Sequence, residues 1–158
     1  MTGPAPGRIL VIKLGALGDM VLALGPFGAI RRSHDRAHIT LLTTEPYAGL
    51  AEASGYFDTV WTDSRPSMWN VPGWLALRRR LRQGAFDRVY DLQTSDRSGW
   101  YFRIMGPGGR PEWSGIAPGC SHPHANPERD FMHSIERQNE QLARAGITDV
   151  PDADVSWL

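Results

Sequence analysis

Apolar and polar positions change period several times along this chain. Arg8-Ile-Leu-Val-Ile-Lys-Leu14 is a nearly continuous aliphatic run, the pattern of a short strand buried on both faces. Gly15-Ala-Leu-Gly18 breaks it. Asp19 then opens a helical pattern, with Val21, Leu22, Leu24, Phe27 and Ile30 at helical spacing. An acid at its start and Arg31-Arg32 near its end suit the helix dipole. Pro26 predicts a kink or a division into two pieces.

The alternation repeats. Residues 38–43, 57–61 and 86–92 read as strands, and 45–53, 74–83 and 95–105 as helices. Residues 63–73, with two prolines, read as a loop, and 106–111 (GPGGRP) as a breaker. A fifth strand is expected over 112–116, a Pro/His/Asn-rich loop over 117–130, and a last helix from Phe131 to Ala145. Such alternation predicts an α/β fold, a Rossmann-like parallel sheet with helices on both faces. The domain is expected over 8–146, after a flexible lead-in of residues 1–7. Residues 147–158 read as the start of an interdomain linker.

Composition narrows the classes. A chain of 158 residues, 41% hydrophobic, suits one domain with a sizeable core. Seventeen basic residues balance seventeen acidic ones, so there is no electrostatic footprint of a nucleic-acid partner. The basic set is sixteen Arg and the single Lys13. One cysteine, Cys120, cannot close an internal disulfide, which fits a reducing, cytoplasmic compartment. The N-terminus lacks the pattern of a signal peptide, and the apolar runs are far shorter than the ~20 residues that span a bilayer.

In an open α/β sheet, ligands bind outside the carboxyl ends of the strands, which draws attention to the turn after the first one. Its sequence, G-A-L-G-D, is neither the dinucleotide fingerprint nor a Walker loop. Gly15 and Gly18 permit close backbone approach. The carboxylate of Asp19 would repel a pyrophosphate but can take a proton from a hydroxyl or bind a sugar; its plainer role is to cap the helix. Lys13 either stabilises developing charge and holds Asp19 ionised, or reaches solvent from the strand end. Asp91 and Gln93 lie at the mouth of the fourth strand, beside the same cleft. Gln93 can bind sugar hydroxyls or serve as a helix-entry residue.

Three other features have two readings each. Arg78-Arg-Arg-Leu-Arg82 is a solvated helix face or a contact for anionic headgroups. Cys120, His122 and His124 have a spacing short for zinc and lack an obvious fourth ligand, so a His-bearing loop is the simpler reading and no metal is expected. Trp69 and Trp74 stack on sugar rings or fill local core.

The run RILVIKLGALGDMVLALGPFGAIRR resembles the start of the ADP-heptose:lipopolysaccharide heptosyltransferases, glycosyltransferase family 9. Lys13, Gly18-Asp19 and Leu24-Gly25-Pro26 carry the likeness. FDRVYDLQTSDRSGWYFRIMG, residues 86–106, is similar to the family's second marker, and His133-Ser-Ile-Glu-Arg137 to a weaker third. The resemblance runs from Arg8 to Gly146 and covers the family's N-terminal, acceptor-binding half. It implies an inverting sugar transfer without cofactor or metal, with ADP-heptose as donor, held mainly by a C-terminal domain. It makes Asp19 the general base, with Lys13, Gly15, Gly18, Gln93 and Arg65 beside the substrate. The implied partners are a sugar acceptor, which can be lipid-linked, and the cytoplasmic face of the inner membrane. Family members acting on the inner core carry a strongly basic loop after the third strand. Here that loop has Arg65 alone, which suits a less acidic sugar or an acceptor other than lipopolysaccharide. The alternative from the residues themselves is a nucleotide- or sugar-binding module without catalysis.

Overall fold

A computed structural model describes residues 7–106 and 110–158. Most of the expected lead-in and the centre of the 106–111 breaker lie outside the described residues. Six strands form one parallel sheet in the order β3-β2-β1-β4-β5-β6. They are β1 Arg8–Ile12, β2 His38–Thr43, β3 Thr59–Thr62, β4 Arg88–Asp91, β5 Glu112–Gly115 and β6 His122–Pro123. The helices are α1 Leu17–Leu22, α2 Leu24–Ser33, α3 Glu45–Ser54, α4 Val71–Gln83, α5 Asp96–Met105 and α6 Ser134–Arg144.

The apolar run of β1 does what a central parallel strand requires. Ile9 and Val11 face one core, with Met20, Leu24, Phe27 and Leu142 from α1, α2 and α6. Leu10 and Ile12 face the other, with Leu77, Leu81, Tyr101 and Phe102 from α4 and α5. Both sides of the sheet are therefore covered, as a sheet apolar on two faces demands. The strand order reverses between β1 and β4, so the mouth of β1 is the topological switch point where such folds bind ligands.

The first helix does divide near Pro26. The chain passes from α1 to α2 at Ala23, which leaves Pro26 in the first turn of α2, where no intrahelical N–H is lost. Four expectations change. Asp19 does not open α1; it is the third residue, because Leu17 and Gly18 already have helical geometry. α4 begins at Val71 and not at Trp74, because the Asn70 side chain caps it by accepting from Gly73 N–H at 3.0 Å, and Pro72 is tolerated in the first turn. The 117–130 loop contains β6 and a 3₁₀ turn over Arg129–Phe131, and α6 starts only at Ser134. A two-residue strand held by backbone pairing to Ser114 and Gly115 leaves no periodic signal in its sequence. Residues after α6 fold back onto the domain. Ile147 is buried, Trp157 packs on the first core, and the Pro151 backbone lies against Gly25 so closely that no Cβ would fit there.

Candidate functional site

The turn after β1 is clamped from both sides. Lys13 N–H donates to Leu42 O at 3.1 Å, and Thr44 Oγ1 donates to Leu14 O at 2.6 Å, tying it to the mouth of β2. Leu92 and Gln93 N–H both donate to Ile12 O, and Gln93 Oε1 accepts from Leu14 N–H at 2.9 Å, tying it to β4. Gln93 is thus committed through its carbonyl to the backbone of the turn, leaving its amide N–H₂ as the part that can meet a ligand.

The two glycines of the turn differ. Gly15 has φ of 143°, and a Cβ there would lie 2.6 Å from the Tyr47 ring, so both conformation and packing require glycine. A Cβ at Gly18 would meet nothing within 4 Å. The protein's own packing makes no demand for glycine there.

Asp19 is exposed, and its Oδ2 accepts from Ala16 N–H at 3.4 Å. That is the long end of an N–H···O bond, and Ala16 has no side-chain oxygen to complete a capping box. The capping role is present but weak, and most of the carboxylate's hydrogen-bonding capacity remains available. Behind it lies Lys13, buried at 6% exposure, with Nζ donating to Leu92 O at 3.1 Å. Burial lowers its pKa; the nearby charges of Asp19 and Asp91 oppose that, and those of Arg137 and Arg129 reinforce it. Lys13 does not reach solvent.

Asp91 is wholly buried at the end of β4. Its Oδ1 accepts from Gln93 N–H at 3.1 Å and Thr94 N–H at 2.9 Å, while Oδ2 has no partner. Burial pushes its pKa up to about 6, against the pull of the Thr94 N–H, the nearby Ser98 hydroxyl, the Gln93 N–H and the charge of Lys13. These bonds hold Thr94 at φ 46°, a costly geometry for a β-branched residue, and the Arg129 guanidinium donates to the Thr94 hydroxyl. Arg129 also donates to His124 Nδ1. That fixes the proton of the buried His124 ring on Nε2, which donates to Glu140 Oε1 at 3.1 Å. Gln141 of α6 donates to Asp91 O at 2.8 Å and locks α6 against β4.

The pH sign of Asp91 follows from burial. Its folded-state pKa lies above the ordinary value of 3.8, so the folded protein holds more proton than the unfolded chain between about pH 4 and 6. Stability from this group is therefore present below that window and lost as pH rises through it, by ~3 kcal/mol at most. Asp91→Asn keeps the Oδ1 acceptor and removes the titration. We expect the melting temperature of Asp91→Asn relative to wild type to be higher at pH 7.5 than at pH 4. A difference independent of pH would sink this account.

Of the sequence-predicted residues, the structure brings together Lys13, Gly15, Gly18, Asp19 and Gln93. Arg65 lies apart, at the mouth of edge strand β3, exposed, with φ of 53° and its N–H bound to Asp63 Oδ1 at 2.8 Å. Cys120, His122 and His124 do not converge. Cys120 Sγ faces Gly115 O, His122 Nδ1 pairs with Ser121 Oγ, and His124 is engaged as described; among the described residues no group suits a metal. Trp74 is half-buried against Tyr101, and Trp69 is exposed. Sequence reasoning missed Arg129 and the nearness of Arg137 to Lys13. Arg129 sits in an irregular loop that no local pattern marks, and Arg137, although part of the weaker third marker, lies so far along the chain that nothing local tells of its nearness to Lys13.

No protein-family model matches the chain, and no curated protein matches it. Solved structures do match. A glycosyl transferase of family 9 from Veillonella parvula aligns with a TM-score of 0.76 at 21% identity, over 92% of this chain and 43% of that one. The E. coli heptosyltransferase WaaC with ADP-2-deoxy-2-fluoro heptose gives 0.67 at 17%, over 95% and 52%. E. coli ADP-heptose lps heptosyltransferase II gives 0.64 at 16%, over 83% and 40%. At these identities the likeness establishes the shared fold. The chain spans about half the length of the structures it matches.

Proposed function

We propose that this domain is the acceptor-binding half of an inverting glycosyltransferase, with Asp19 as general base. The observation that carries the reading is an exposed carboxylate at the topological switch point, beside an open glycine and backed by a buried lysine. The fold shared with half of several sugar transferases supports it. Asp19 takes the proton of an acceptor hydroxyl as that oxygen attacks the anomeric carbon of the donor. The carbon–oxygen bond to the diphosphate breaks on the opposite face, and the nucleotide diphosphate leaves with the electron pair. Lys13 contributes positive potential behind the carboxylate, and Gln93 offers its amide to a sugar hydroxyl. Arg65, further along the same edge, meets a more distant part of the acceptor.

The donor assigned is ADP-heptose or a similar nucleotide-sugar, held chiefly by a second domain. The acceptor is a lipopolysaccharide-type sugar, met at the cytoplasmic face of a membrane. Transfer of labelled heptose tests this, using both residues 1–158 and the product of the reading frame extended past the Leu158 codon. Label reaching a glycolipid acceptor only with a second domain supports the assignment. A stop codon after Leu158, together with micromolar binding of ADP by the isolated chain, points to a non-catalytic nucleotide module and refutes it.

A further inference from the structure

Two large apolar side chains face water almost completely: Trp69 is 90% exposed and Phe131 87%. They lie in different parts of the fold, and the residues around them carry opposite charge.

Trp69 follows Met68, which lines an open groove of about 310 Å³ with Val71, Trp74, Leu75, Trp100 and Ile104 of α4 and α5. Trp74 gives the groove a firm floor, since its ring stands edge-on to Tyr101 and its Nε1 donates to Ser67 O at 3.0 Å. Met68, Val71, Leu75 and Trp100 are themselves exposed. Water-facing apolar side chains gathered this closely mark a contact surface. From Ser64 to Phe86 the chain has five arginines and no acidic residue, although the whole protein is neutral. Arg78 and Arg79 lie beside Leu75, and Arg103 stacks on Trp100 at 4.8 Å. None of these three is in an ion pair among the described residues. Tryptophan, methionine and arginine without lysine is the composition of a protein-binding surface.

Phe131 closes the 3₁₀ turn before α6, and Ile135, in the first turn of α6, is exposed as well. Glu128, Asp130 and Glu136 flank them, all exposed and none in an ion pair among the described residues. The segment is held firmly from behind. Arg129 donates to the Thr94 hydroxyl and to His124 Nδ1, and Asn126 Nδ2 donates to Met132 Sδ at 3.5 Å. A fixed loop that presents an aromatic ring among acids matches an apolar groove edged with arginine, and such complementarity selects both partner and orientation.

One molecule cannot join its own two faces. α6 packs on the first core and α4 and α5 on the second, with the sheet between them. For the same reason two copies cannot each fill the other's groove at once.

We propose that the α4–α5 groove is a docking site for a second copy of this chain. It takes Phe131 and Ile135, while Glu128, Asp130 and Glu136 meet Arg78, Arg79 and Arg103. The contact uses a different face of each copy, so it runs head to tail and propagates instead of stopping at two. This goes beyond sugar transfer and holds with or without it, since association is read with no sugar present.

Sedimentation equilibrium of residues 1–158 between about 10 μM and 1 mM tests this. The average mass is expected to rise past that of a dimer and to fall back toward the monomer in about 1 M salt, where charges are screened beyond about 3 Å. Trp69→Ser with Leu75→Ser disables the groove, and Phe131→Ser with Ile135→Ser disables the segment that enters it. Each pair should weaken self-association about tenfold or more. All four positions are exposed, and an unchanged melting temperature confirms that the variants fold. Mixed together, the two variants should form a one-to-one complex at wild-type affinity that grows no further, because each supplies the face the other has lost. A wild type that stays monomeric or stops at a dimer overturns the proposal. So does undiminished association of either variant, or a mixture that stays monomeric.

Discussion

On the proposed function, Asp19→Asn made in a form of the protein that transfers sugar is expected to lower turnover by about 10²–10⁴-fold and to leave the acceptor KM nearly unchanged. The size is that of losing a positioned general base. The split between turnover and KM follows because proton removal stabilises only the transition state. The same change leaves folding almost untouched. The carboxylate is exposed, and its one hydrogen bond, to Ala16 N–H, is long at 3.4 Å. Loss of so weak a cap costs at most ~1 kcal/mol. Steady-state kinetics and a thermal melt on one preparation decide the matter. Full turnover in Asp19→Asn removes the base assignment. A large fall in melting temperature would show that Asp19 serves mainly the helix.

Trp113→Ala should be the most damaging single change to the fold. Trp113 is fully buried on β5, with its ring edge-on to Phe102 at 5.1 Å between centroids. Truncation leaves a cavity between β5 and α5, for which the expected loss is about 3–5 kcal/mol. Domains of ordinary stability hold only about 5–15 kcal/mol in total. In a chain of this length the loss reads as a fall of roughly 10 °C or more in melting temperature. Trp113→Phe separates packing from polarity. The indole Nε1 has no hydrogen-bond partner, so phenylalanine removes an unsatisfied donor while keeping most of the ring. It should cost clearly less than alanine. Equal costs would mean that the indole nitrogen has a partner in solution, and a shift of only a degree or two for alanine would mean that the ring is not packed as described.

Much of this fold can be read along the chain because its causes are local. The aliphatic run of β1 has to be covered on both faces, which implies helices on both sides and a parallel sheet. Pro26 cannot sit in a helix interior, so the first helical stretch divides close to it. A sheet of this kind opens at the switch point, so Gly15, Gly18 and Asp19 stand out from their place after β1. Gln93 stands out in the same way from its place after the strand paired with β1.

Other parts depend on contacts between residues distant in sequence. Nothing local predicts β6, because two residues gain strand geometry only by pairing with β5. Arg129 and Arg137 come near Lys13 only because α6 is drawn onto the sheet by Gln141, which bonds the carbonyl of a strand some fifty residues earlier. Arg65, grouped with the others by position in a loop, lands at an edge strand because the β3-β2-β1 order places two strand spacings between it and Asp19. Hydrophobic period determines which elements form and which face each one buries, since that depends on neighbours within a turn or two. Which charges meet, and whether Lys13 and Asp91 lose their water, depends on what the rest of the chain packs over them, and burial by distant segments leaves no mark on local sequence.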